Sequence, residues 1–170
     1  MYPILEDAFL RYPMRKKVAE LLLKYGLRVD KQAVIYCGEI ELSPAKIARS
    51  VSVDRRVVIE TAQMIAEVKE LHGIFNGLVP KAFISGVARH LGFEVLEIES
   101  EPHAVGIVST VTKIIADADI SIRQIVTDDP DIYPNPKLTI ILEKKLTAFA
   151  LVKLRELKYI KKISIASGSF

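Results

Sequence analysis

The stretch Gly92-Phe93-Glu94-Val95-Leu96-Glu97-Ile98-Glu99-Ser100 marks the point where this chain changes its period. Before it, apolar residues recur every three or four positions. Within it, Leu96 and Ile98 alternate with Glu97 and Glu99. Side chains alternate across a strand and repeat every 3.6 residues around a helix. The stretch therefore reads as a strand over 93–100 with one apolar and one charged face, and it divides the chain into a helical half, 1–92, and a mixed half, 93–170.

Downstream, residues 106–118 carry Ile107, Val111, Ile114, Ile115 and Ala118 on one helical stripe. Residues 120–127 are rich in β-branched side chains, and 128–136 hold three prolines and form a loop. In 137–143, Leu138, Ile140 and Leu142 alternate with Thr139, Ile141 and Glu143. Thr147 caps a helix running to about 157, and 160–165 is the last strand. The order β-α-β-β-α-β is that of a ferredoxin-like domain, with two helices on one face of a four-stranded antiparallel sheet. Ile141 would sit on the other face, so a homodimer or higher homo-oligomer is expected to cover it.

Upstream, Val18, Leu21, Leu22 and Tyr25 form one helical face that stops at Gly26. Val34-Ile35-Tyr36 and Ile40-Glu41-Leu42 flank Cys37-Gly38-Glu39 as a hairpin that would make this half winged. Ser43-Pro44 starts a short helix, Ser52-Val53-Asp54 is a turn, and Asp54 caps a longer helix with Val57, Val58, Thr61, Ala62 and Ile65 inward. Asn76-Gly77 is a turn, and a last helix is expected over 80–91. The fold class is thus α+β: an all-α helix-turn-helix domain followed by the β-α-β-β-α-β domain.

Charge follows the same division. Residues 1–92 carry 14 Lys and Arg against 10 Asp and Glu, whereas 93–170 carry 10 against 11. A basic first half suits a polyanion partner, here double-stranded DNA. In a helix-turn-helix the second helix enters the major groove with its N-terminal residues at base edges. Arg55 and Arg56 fall there, placed for a bidentate contact to guanine or a phosphate clamp. Lys46 and Arg49 suit the phosphate backbone, and Ser43 at the helix start is taken as a further DNA-binding residue. Glu60, further along the exposed face, suits a cytosine, though surface polarity explains it as well. An ordinary helical pair with a solvated basic face would read the same way.

Glu101-Pro102-His103-Ala104-Val105-Gly106-Ile107-Val108 resembles the ACT-domain signature, in which an acidic residue, a proline and a glycine precede an aliphatic-rich helix. Ala116-Asp117-Ala118-Asp119-Ile120-Ser121-Ile122 is similar to the same family's helix end and second strand. His103, Val105 and Ser121 depart from the usual acidic residue, proline and asparagine. The resemblance implies an amino-acid effector held by His103, Ala104, Val105, Gly106, Ile107, Ser121 and Arg123, between the 102–107 loop of one subunit and the strand starting at 120 of another. The physical reading agrees: a glycine at a helix start admits close backbone approach, and free N–H groups there attract a carboxylate. The alternative is a glycine needed only for the turn. With Ile35-Tyr36-Cys37-Gly38 and Val53-Asp54-Arg55-Arg56-Val57-Val58 added, the whole chain resembles a group of prokaryotic, largely archaeal, regulators of amino-acid metabolism. These join an N-terminal helix-turn-helix to a C-terminal ACT domain.

Other classes fit less well. His72, His90 and His103 are scattered, and no phosphate-binding or dinucleotide glycine motif occurs, so neither an enzyme nor a catalytic residue is expected. Cys37 is the single cysteine, which gives neither a disulfide framework nor a metal site. No cofactor is expected beyond the effector. No apolar run reaches the roughly eighteen residues of a membrane span, and a cytoplasmic location is expected. The expected function is an amino-acid-responsive transcriptional regulator. Its alternatives are an ACT module that regulates partner enzymes without touching DNA, and a regulator of the leucine-responsive type, which a helix at 80–91 would fit poorly.

Overall fold

The computed structural model describes residues 2–101, 104–133 and 135–167. It is an α+β chain with two antiparallel sheets, and it separates into two compact units, Met1–Ala82 and Phe83–Phe170.

In the first unit, α1 (Pro3–Phe9) and α2 (Pro13–Tyr25) each place a proline in the first turn, where a missing N–H costs nothing. Gly26 ends α2 in the left-handed region at φ +63°, as the period anticipates. A three-stranded sheet follows: β1 (Arg28–Val29), β2 (Ile35–Cys37) and β3 (Ile40–Glu41). The β2–β3 hairpin matches the sequence pattern, whereas β1 is too short to leave one. Next come α3 (Pro44–Val51), α4 (Arg55–Glu67) and α5 (Lys69–Phe75). The shared core contains Phe9, Val18, Leu22, Ile35, Val58, Ile65 and Phe75.

The link from α3 to α4 is specified locally. Ser52 takes a left-handed conformation at φ +55°, and the N–H of Val53 returns to the Ala48 carbonyl at 3.0 Å. The Asp54 carboxylate accepts the Arg56 N–H at 2.8 Å, which caps α4. A left-handed non-glycine residue stores strain of about 1–2 kcal/mol. Ser52→Gly is therefore expected to stabilise the first unit by about 0.5–1 kcal/mol, the relief being partly offset by the entropy of an added glycine. A urea titration followed by circular dichroism checks the sign.

The second unit runs β4 (Glu94–Ser100), α6 (Ile107–Asp117), β5 (Ile122–Thr127), β6 (Lys137–Leu142), α7 (Ala148–Arg155) and β7 (Ile160–Ser167). The sheet order is β5-β6-β4-β7, all antiparallel. Leu96, Ile98, Ile140 and Leu142 pack with Val111, Ile115 and Leu154 from the helices. The Thr147 hydroxyl accepts the Ala150 N–H at 3.2 Å and starts α7 at the expected place.

The structure departs from the sequence expectations at two places. The helix over 80–91 is absent; only a 3₁₀ turn, Ala88–Leu91, forms. Ile84 and Ala88 instead press Val95 and Ile141 on the outer face of the sheet, with Phe93 beside them. The Ile84 N–H donates to the Gln124 side chain at 3.1 Å. This packing draws 83–92 into the second unit, so the division falls earlier than 92/93. It also buries Ile141 completely within its own chain. Ile141 thus needs no second subunit, and the physical ground for expecting one on its account disappears. Further along this face, Lys137 pairs with Glu97 at 2.9 Å and Lys162 with Glu99 at 3.4 Å, so the rest is charged and solvated. No helix among the described residues is long and apolar enough to cross a membrane.

Candidate functional site

The turn Ser52-Val53-Asp54 sets α3 and α4 against each other, with Ile47, Ala48, Val58 and Ala62 in the seam. Their outward faces carry the residues singled out from the sequence: Ser43, Lys46, Arg49, Arg55, Arg56 and Glu60 are all exposed. Arg55 and Arg56 occupy the first turn of α4, which holds no acidic residue. Lys46, Arg49, Arg55 and Arg56 have no ion-pair partner among the described residues. Glu60 differs, since its carboxylate accepts from the Arg15 guanidinium at 2.7 Å. Tyr12 lies under that guanidinium at 4.6 Å. Sequence spacing could place Glu60 on the outer face but could not reveal Arg15, which lies 45 positions away.

In the second unit, Gly106 precedes α6 at φ +84°, a conformation that favours glycine. A Cβ there would meet only Ser109 Oγ, at 3.7 Å, so backbone conformation and not crowding explains the residue. The first N–H groups of α6 have no intrahelical acceptor. This helix start lies at a cavity of about 530 Å³ lined by Ser100, Glu101, Ala104, Gly106, Ile107, Val108 and Ser109 and by Thr127, Asp128, Pro130, Pro136, Lys137 and Leu138. Ligand cavities usually hold about 300–1,000 Å³.

Of the expected effector residues, Ala104, Gly106 and Ile107 line this cavity. Val105 is almost fully exposed, and His103 lies outside the described residues. Ser121 and Arg123 are not brought to the cavity of their own chain. The ladder sets Ile122 opposite Leu142 and Thr127 opposite Leu138, so they stand at the other end of β5. There Arg123 pairs with Glu143 at 2.7 Å and lies over the Phe93 ring. The second wall, 127–138, was legible in principle. Pairing β6 against both β4 and β5 puts the proline loop beside the end of β4, but the loop's own composition signals only a turn.

Charges around the cavity are largely committed. Lys161 pairs with Glu101 at 2.9 Å. The hydrogen bond that the Lys137 ammonium donates to the Glu97 carboxylate raises the Lys137 pKa above the usual lysine range, so the ammonium stays charged and turned toward Glu97 and Glu99. No group of three or more histidine, cysteine or acidic side chains among the described residues could hold a metal ion.

No family model matches this chain, and no curated protein matches it. One solved structure to which it is similar is described as the crystal structure of PH0061. The match has 15% identity over 89% of this chain and 88% of that one, and its TM-score of 0.30 carries nothing about fold or function.

Proposed function

We propose that this chain is a cytoplasmic, amino-acid-responsive transcriptional regulator, with a helix-turn-helix formed by α3 and α4 and an ACT-type sensor formed by the second unit. The observation that carries the DNA half is the exposed Arg55–Arg56 pair at the start of α4. Each positive charge there opposes the helix dipole at a cost of about 0.3–1 kcal/mol. An external anion, a phosphate or a guanine edge, gives that placement a use. Lys46 and Arg49 on α3 extend the same basic face.

The sensor half rests on the cavity at the start of α6. Its N–H groups suit a carboxylate, and its volume suits a free amino acid. A homodimer belongs to the proposal through the open edges of β5 and β7, not through Ile141. Because 80–91 is not a helix, that segment no longer separates this reading from a leucine-responsive type of regulator.

A thermal-shift series over the twenty amino acids tests the sensor, since a ligand bound only by the folded form raises the melting point. Gly106→Val is expected to lose that shift. The variant itself should unfold more easily by about 1–2 kcal/mol, the strain of a left-handed side chain. If the variant responds to amino acids as the parent does, Gly106 is a turn residue only.

A further inference from the structure

We infer that the effector site is completed by the chain's own β5–β6 loop, with Asp128 as the ammonium acceptor, and that it selects amino acids with aliphatic side chains. This rests on the sensor reading above but departs from the expected site shared between subunits. The cavity already has two walls within one chain. The Asp128 N–H donates to the Lys137 carbonyl at 2.9 Å, and the Asp128 Oδ2 accepts the Lys137 N–H at 3.2 Å. These bonds fix the carboxylate at the mouth of the loop, half-buried, where it lines the cavity. Beyond it, the N–H groups of Ile132 and Tyr133 donate to the Asp129 carbonyl, and that of Asp131 to the Asp129 side chain, so the loop holds its own shape.

The distribution of charge then decides the ligand. Asp128 has no ion-pair partner among the described residues. The two nearby lysines are committed elsewhere, Lys137 to Glu97 and Lys161 to Glu101. The Lys137 ammonium feels the Asp128 charge but is held on Glu97 and Glu99, outside ion-pair distance of Asp128, so the half-buried carboxylate is left to accept a cation from a ligand. At the same cavity the first N–H groups of α6 call for an anion, and Ile107, Pro136 and Leu138 offer apolar surface. An α-amino acid with an aliphatic side chain supplies all three groups on one carbon. Inorganic phosphate or a dicarboxylate would meet Asp128 with like charge.

Calorimetry on the full chain separates the possibilities, using L-leucine, L-isoleucine, L-valine, L-aspartate and 4-methylpentanoate, which is leucine without its amino group. At least one aliphatic amino acid should bind, with L-aspartate and 4-methylpentanoate weaker by about 10- to 100-fold, the value of a charge-assisted hydrogen bond. Asp128→Asn keeps an acceptor for the Lys137 N–H, so its melting point should match the parent's. It should lose about the same factor for the amino acid and nothing for 4-methylpentanoate. If Asp128→Asn binds like the parent while Arg123→Ala does not bind, the site lies between subunits; this inference then fails and the sensor reading stands. If no amino acid binds to the parent at 10-millimolar order, the sensor reading itself fails.

Discussion

Gly26→Ala is expected to destabilise the first unit by about 3 kcal/mol. The left-handed conformation costs an L side chain about 1–2 kcal/mol. The added Cβ would also lie 2.7 Å from the Val79 carbonyl oxygen, 2.9 Å from its carbon and 3.1 Å from Pro80 Cα. All three are backbone atoms, so no rotamer change relieves the contact and the 79–80 segment must move. Overpacking of this kind adds about 1–3 kcal/mol. For a unit of this size the melting point should fall by on the order of 15 °C. Gly73→Ala is the matched control. It sits within α5 with no heavy atom within 4 Å of its Cβ position, and it should raise stability by up to about 1 kcal/mol. Thermal unfolding of both variants is the measurement. A Gly26→Ala variant melting with the parent would show that 79–80 does not lie against the end of α2.

Replacing Arg55 and Arg56 together by alanine is expected to weaken DNA binding by roughly 10²- to 10⁴-fold. This follows if each contributes about 1–3 kcal/mol at a base edge. If Arg55 and Arg56 also neutralise phosphates beside the bases they read, four basic contacts per subunit, with Lys46 and Arg49, predict a log–log salt slope of roughly −3 to −4, and the double variant should fall to roughly −2. Stability should move the other way. Removing two positive charges from the first turn of α4 relieves an unfavourable dipole interaction, so the melting point should hold or rise slightly. Loss of binding with an unchanged fold therefore identifies an interface and not a structural pair. Gel shifts that show no retardation of the parent at low salt would assign the first unit to protein contacts, and the chain would then act on partner enzymes.

Local signals in the sequence specify the structure where a residue's immediate neighbours decide the outcome. Gly26, the Ser43-Pro44 and Thr147 starts and the Asp54 cap each act within about one turn, and each stands where the pattern put it. Helix α5 shows the limit of such signals: a seven-residue helix has too few turns to display a period, and its fully buried residues are just Leu71 and Phe75. The cavity shows the limit from another direction. Gly106 is visible as a helix-start glycine, but Asp128 and Leu138 reach the same space only through pairing with β6.

The sequence by itself determined the change of period at Gly92, the order of strands and helices after it, and the face of each strand that is apolar. All of these follow from side-chain repeat and capping, which depend on near neighbours. Tertiary structure alone decided what lies over each face. The 80–91 segment has the composition of a helix, but Gly86 weakens a helix there, and Ile84 and Ala88 cover Val95 and Ile141 from a chain that is only a 3₁₀ turn at Ala88–Leu91. Periodicity states that Ile141 points away from α6 and α7. Which part of the chain removes it from water is a contact between residues distant in sequence, and only the folded chain specifies it.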